Sequence, residues 1–412
     1  VNVVTLRSRQ TRSLVVLFSA LYFVQGIAEP TEGLITQPVR SLLKSWNQSD
    51  MQISTFMALM ALPWGFKLLY GLLTDFVPLF GQRRRSYLLL STAVTAAGLC
   101  YLGLTPLPAG RTGLLLLLLV LPTLGVAFSD VVIDALMVDK GQPLGLTGVL
   151  QSAQWTAMYA GTIIAGKLGG ILSEGSQHQT ALLICGLLTF ATLVLIYFGV
   201  PEQRAPRAKS ELSAALSGLA AALRSPAVLT AALFVTLWNF NPFNTTVLYL
   251  YATKEIGLSE TYYGTTVSLV SVGAMIGALV YGTYCRRVSF KILIHVSIVT
   301  GILATLAYWG LAGERSAAAI SIVVGFTYMT GNLVQFDMVA RACPPQAAGT
   351  TFATLMGLTN FSMLGSAALG GWFYASWSGH WGPTVSFQLL VLVGALSTAA
   401  CWLLFPWLKN RF

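Results

Sequence analysis

At 412 residues, 55% hydrophobic and 9% charged, with a mean hydropathy of +0.71, the chain cannot form a soluble globule with a polar skin. The formal charge of +10 does not point to nucleic acid, because the charges sit between apolar stretches instead of on one basic face. Lipid must serve as the solvent.

A helix needs about 20 apolar residues to cross a bilayer, and twelve such stretches can be marked. They are residues 13–36, 51–75, 87–106, 112–138, 147–172, 180–200, 227–252, 260–284, 289–312, 317–341, 347–376 and 383–408. With the first stretch starting inside, only Arg40, Lys44, Arg111, Lys254 and Arg315 of the 24 Lys and Arg fall on outer loops, and Lys67 and Lys167 fall within spans. This is the positive-inside pattern, and it predicts a multi-pass protein of a bacterial inner membrane with both termini cytoplasmic. The five cysteines are scattered and His178, His295 and His380 do not cluster, so no disulfide framework, metal site or cofactor is expected.

The first stretch carries Gln25, Gly26, Glu29, Pro30 and Glu32. Proline predicts an irregular outer half. Acids within a span are costly, which makes Glu29 a candidate for proton coupling and Gln25 and Glu32 candidates for binding substrate. The second stretch contains Pro63-Trp64-Gly65-Phe66-Lys67, then Gly71 and Asp75, and is followed by Gly81 and Arg83-Arg84-Arg85. A lysine in an apolar span costs roughly 2.5–3.5 kcal/mol and calls for a carboxylate or a wet cavity. Gly71 is expected to admit a neighbouring backbone, and Asp75 to meet a helix N-terminus. Gly71, Asp75, Gly81, Arg83 and Arg84 resemble the loop signature of the major facilitator superfamily, with three extra residues between the aspartate and the second glycine. Of these, Gly71, Asp75, Arg83 and Arg84 are assigned to gating and structure, together with Lys167 of the fifth stretch.

In the fourth stretch, the four-residue spacing puts Asp130 and Asp134 on one helix face, at a depth similar to that of Lys67. An ion pair from Lys67 to either acid would relieve both burial costs. Asp130 and Asp134 are therefore further proton-coupling candidates and Lys67 a substrate-binding one, although such acids can also simply pin helices together. In the fifth stretch, Gln151 and Trp155 are binding candidates. Gly161 to Lys167 imitates a phosphate-binding loop, but Leu168 stands where Ser or Thr is needed and no strand precedes it. Gly161, Ala165 and Gly169 form a small-residue stripe, as do Gly273 and Gly277. Lys167 is expected to pair with Glu29 or Glu32, or else to extend to the surface.

A polar connector, 201–226, separates a six-span unit at 1–200 from another at 227–412, and its Ser210–Leu223 portion is suited to a surface helix. Glycine and charge patterns recur across it at offsets of 211, 203 and 201, which predicts a duplicated unit with a binding site between the halves. The seventh stretch carries Trp238, Asn239, Asn241, Pro242 and Asn244, read as a kinked ligand wall. Gln335, Asp337 and Asn360 in the tenth and eleventh complete the binding candidates.

Together, several stretches resemble the folate-biopterin transporter family, a branch of the major facilitator superfamily. They are Tyr22 to Gly26; Ala61 to Trp64 with Lys67, Tyr70, Gly71 and Asp75; Pro78 to Gly81 with Arg83 to Arg85; Ser129 to Ala135; and Leu248 to Gly257. The resemblance implies an all-α membrane protein with the major facilitator fold, twelve transmembrane helices in two pseudo-symmetric six-helix bundles. It also implies proton-coupled uptake of a folate- or pterin-like solute by alternating access. A permease for a siderophore, muropeptide or CoA-type solute is the alternative. No serine–histidine pair or metal spacing suggests an enzyme.

Overall fold

The computed structural model describes residues 9–406 except 83, 108, 145, 201–208, 285–286 and 345–347. Its first helices are α1 (Arg9–Ala28), α2 (Thr36–Ser45), α3 (Asp50–Ala61), α4 (Lys67–Phe76), α5 (Arg85–Leu104), α6 (Thr112–Gly141), α7 (Thr147–Glu174) and α8 (His178–Gly199). After α9 (Lys209–Ala222) come α10 (Pro226–Trp238), α11 (Thr246–Leu250), α12 (Glu260–Tyr284), α13 (Phe290–Leu306), α14 (Glu314–Ala342), α15 (Ala348–Trp381) and α16 (Pro383–Ala400). Local chemistry sets several of these ends. The Ser49 hydroxyl accepts from the Gln52 N–H at 3.3 Å and the Gln52 carboxamide accepts from the Ser49 N–H at 2.8 Å, a capping box that starts α3. Pro63 then converts the next turn into a 3₁₀ segment, Leu62–Phe66, before α4 resumes with Lys67 as its first residue.

Ten described segments are long and apolar enough to cross a membrane. α7 is long enough at 28 residues but is diluted by Gln151, Gln154, Lys167 and its glycines. α10 and α11 form one interrupted crossing. With these two the passes number twelve. The end of α9 turns 79° from α10, the angle of a connector helix lying across the spans.

The predicted duplication is visible in the helix boundaries. Ala28 and Trp238, Thr36 and Thr246, Ser45 and Glu255, and Asp50 and Glu260 each bound an element and are each 210 residues apart. The first crossing breaks at residues 29–35 and the seventh at 239–245, so both halves interrupt the same helix at the same place. Pro30 and Pro242 supply no N–H, which weakens helix continuation at each break. Leu34 N–H bonds to Ile27 O at 2.7 Å and Gly33 N–H to Glu29 O at 2.8 Å, closing the first break into a compact turn. The expected first helix of 13–36 is thus two helices, and it runs on through α2 to Ser45.

The halves meet along two helix pairs, α7 with α12 and α3 with α15. A Cβ at Gly166 would lie 2.8 Å from Gly264 O, and one at Gly170 2.7 Å from Glu260 O, so only glycine permits this approach. The stripes named from sequence face elsewhere. Gly161 and Gly169 pack against the backbone of Phe23 and Leu34 in the first crossing, and Gly273 and Gly277 against α14. At the α2 end of the molecule one apolar cluster joins both halves, including Leu34, Phe56, Leu250, Tyr263 and Phe387. Towards the Arg84 end the core divides, with Phe18, Leu136 and Ile196 in one cluster and Phe234, Met338 and Leu404 in another.

Candidate functional site

A polar cluster lies inside the first half. Tyr22 and Gln25 face Asp130 and Asp134 from α1, at spacings that place each pair on one helix face. Lys67 Nζ lies 2.6 Å from Asp130 Oδ2, and Gln25 Nε2 donates to Asp130 Oδ1 at 2.6 Å. The Asp134 carboxylate accepts from the Tyr22 hydroxyl and, at 3.1 Å, from Gln154 Nε2. The break after Phe66 lets Lys67 begin a new helix beside α6. The one cation pairs with Asp130, and Asp134, a turn away, is held by neutral donors alone.

Glu29 occupies the break between α1 and α2 and is 5% exposed. Its carboxylate accepts from the Thr31 N–H at 2.9 Å, the Thr31 hydroxyl at 2.6 Å, the Glu32 N–H and Trp64 Nε1 at 3.0 Å. These donors make it the clasp of the interrupted helix. Trp64 connects the two regions: Lys67 Nζ sits 4.6 Å from its ring centroid, and its carbonyl accepts from Asn360 Nδ2 of the second half at 2.8 Å.

Glu32, three residues on, is exposed. Aromatic surface joins the halves nearby in α7 and α14: Trp155 stacks with Tyr159 at 5.9 Å and with Phe336 of α14 at 6.3 Å. The Tyr159 hydroxyl reaches Met329 Sδ at 3.0 Å, and Tyr328 is 42% exposed.

Among the described residues, the second half has no matching buried charge. Asn239, the counterpart of Glu29, donates to Val235 O at 2.7 Å and to Gln335 Oε1 at 3.4 Å, while Gln335 Nε2 is buried without a partner among the described residues. Several expected wall residues lie elsewhere. Trp238 is buried in the second-half core, stacked on Phe234 at 5.8 Å, because its size fills the space beside Gly331. Asn241 donates to Trp238 O at 3.2 Å, and Asn244 is exposed with its carbonyl on Thr245 N–H, so both serve the backbone of the break. Asp337 forms a half-exposed pair with Arg341 at 2.9 Å, four residues along the same helix face.

Gln151 is exposed, one turn before the bonded Gln154. Lys167 is exposed and donates to Thr265 Oγ1 at 3.0 Å, joining α7 to α12 and pairing with neither Glu29 nor Glu32. Gly71 admits no close backbone: an added Cβ would meet only Val131 Cγ1, at 3.8 Å. Asp75 pairs with Arg84 at 2.7 Å, and Arg84 also reaches Asp139 at 3.2 Å, so a guanidinium and not a helix end answers this acid. Arg83 lies outside the described residues. Sequence reasoning missed Tyr22, Gln154 and Tyr159. For Tyr22 a signal existed, since it precedes Gln25 by three and Glu29 by seven on one face; for Tyr159, which reaches α14 through Met329, only the fold supplies it. Surface grooves of about 490 Å³ beside Phe80 and Tyr197 and about 410 Å³ beside Trp46 and His178 contain none of these residues.

A folate-biopterin transporter of Synechocystis sp. is 29% identical over 402 residues, covering 92% of this chain and 78% of that protein. A probable folate-biopterin transporter 4 of Arabidopsis thaliana is 23% identical, with 84% of each chain covered. A solved structure of a mutant nucleoside transporter NupG aligns with a TM-score of 0.74 at 14% identity, over 95% of this chain and 100% of that one, which shows a shared major facilitator fold. Residues 25–411 match the BT1 family, and this integral multi-pass transporter belongs to it.

Proposed function

We propose that the protein imports a folate- or pterin-like solute with protons by alternating access, its halves 1–200 and 227–412 rocking about the central region. The observation that carries the coupling is the cluster in which Lys67 pairs with Asp130 while Asp134, one turn away, is left to the neutral donors Tyr22 and Gln154. Asp134 is the first choice for the coupling proton, because its donors are neutral. Glu29 ranks below it, because four donors already occupy its carboxylate. Proton release and uptake at Asp134 change the net charge that the Lys67 ammonium must balance, and so the hold of α4 on α6. The solute class is that named for the relatives. The inner-membrane placement, with the Arg84 end in the cytoplasm, rests on the arginine asymmetry.

Alternating access is supported by two ion pairs across the halves. Lys44 Nζ lies 3.1 Å from Glu260 Oε1, and Lys254 pairs with Asp50. Lys44 and Lys254, like Asp50 and Glu260, are 210 apart, so one contact is the image of the other. They latch the end where the halves share one core, while the opposite end has divided cores. The test is Asp134→Asn in sealed vesicles loaded with an imposed pH gradient. It should lose gradient-driven accumulation of labelled folate and keep solute exchange; undiminished accumulation would remove Asp134 from the coupling step.

A further inference from the structure

Helices α5 and α8 touch where glycine allows it. A Cβ at Gly103 would lie 2.7 Å from Leu183 Cα, and one at Gly186 2.7 Å from Cys100 N. Towards the Arg84 end, where among the described residues no glycine of either helix faces the other, a groove of about 490 Å³ opens between them. Ser86, Leu89 and Ala93 of α5 and Leu193 and Val194 of α8 line it, all within membrane-crossing segments. Its mouth is shaped by a tight turn. Leu79 and Gln82 exchange both backbone bonds at 2.9 Å, with Phe80 at φ +52° and Gly81 at φ +77°. Such turns take asparagine, aspartate or glycine at the first central position, so this phenylalanine is held against its backbone preference. The turn leaves the Phe80 ring 86% exposed on the groove, which Phe198 of α8, 81% exposed, also lines. Arg85, the first residue of α5, reaches across: its Nη2 donates to Tyr197 O at 2.6 Å, and its guanidinium carbon lies 5.4 Å from the Tyr197 ring centroid. Tyr197 lines the same groove, so a cation stands where the groove leaves the hydrocarbon.

We propose that this groove is a binding site for one anionic glycerophospholipid of the leaflet at the Arg84 end. An acyl chain lies between α5 and α8, and Phe80 and Phe198 bury their exposed faces against it. The phosphate meets the Arg85 guanidinium, whose planar fork matches phosphate oxygens. Charge selects the head group: a basic residue at the membrane surface favours an anionic lipid by about fivefold in affinity. Were Arg85 only a cap for the carbonyls that end α8, the charge of the head group would make no difference.

Native mass spectrometry of the purified full chain, titrated in detergent with phosphatidylglycerol or with phosphatidylcholine of the same acyl chains, counts the bound lipid. The unmodified protein should hold one phosphatidylglycerol about fivefold more tightly than phosphatidylcholine. Arg85→Gln should erase that preference by weakening phosphatidylglycerol alone. Ala93→Phe, which fills the floor of the groove, should weaken both lipids. Equal binding of the two lipids by the unmodified protein overturns the proposal, and needs no variant to fold. A preference that survives Arg85→Gln overturns it too, as does an Ala93→Phe protein that binds both lipids as before. Equal loss of both lipids in Arg85→Gln would leave Arg85 as a cap of α8 and nothing more, which also overturns it.

Discussion

Lys67 carries a charge into a region where an unpaired one is expensive, and Asp130 answers it at 2.6 Å. Removing one member of a buried pair leaves the other uncompensated, at a cost of about 3–5 kcal/mol, whereas removing both is often nearly neutral. Lys67→Met is therefore expected to lower the thermal unfolding temperature in detergent, and Lys67→Met with Asp130→Asn to recover most of the loss. A double variant no more stable than the single one would show that the two charges are not coupled. The sequence made Lys67 and both aspartates legible, because an ionisable group in an apolar span is conspicuous. It did not distinguish Asp130 from Asp134, since that choice depends on where the 3₁₀ turn at Leu62–Phe66 points the lysine. Nor did it separate Asp337 from the site; its i,i+4 partner Arg341 was adjacent in the sequence, but whether the pair faced a cavity was not.

Among elements, the glycine contact between α7 and α12 governs how closely the halves approach. Gly170→Val introduces a side chain 2.7 Å from Glu260 O, beside the Lys44 latch. Overpacking of this kind costs about 1–3 kcal/mol, so both the unfolding temperature and folate uptake should fall. Gly71→Ala, with only Val131 Cγ1 at 3.8 Å, should leave both near their starting values. If uptake responds equally to the two substitutions, the contact does not set the approach of the halves. The interrupted crossings carry a related lesson. Pro30 and Pro242 announced irregularity, but the matching seven-residue breaks emerged only when helix boundaries were compared at an offset of 210.

For the whole molecule, the symmetric ion pairs tie one end shut. Reversing Lys44 to Glu sets like charges against each other at the latch, and uptake should drop. Adding Glu260→Lys restores the attraction, with a coupling energy of about 0.5–3 kcal/mol for contacting residues. Labelled-solute uptake by the single and double variants measures it, and the Asp50–Lys254 pair should behave the same way. A charge swap that rescues nothing would mean that these pairs decorate the surface without holding the halves.

The sequence by itself determined the solvent, the number of crossings, the duplication and the presence of costly charges, because hydropathy and charge are properties of residues counted along the chain. Only the tertiary structure decided which groups share the interior. Tyr22, Asp134 and Gln154 come from three different helices, α1, α6 and α7, and the Trp155–Phe336 stack joins α7 to α14. Their meeting depends on helix rotation and on the redirection at two broken crossings. A few residues of non-helical backbone turn every later side chain to a new face, and hydropathy along the chain does not record that rotation.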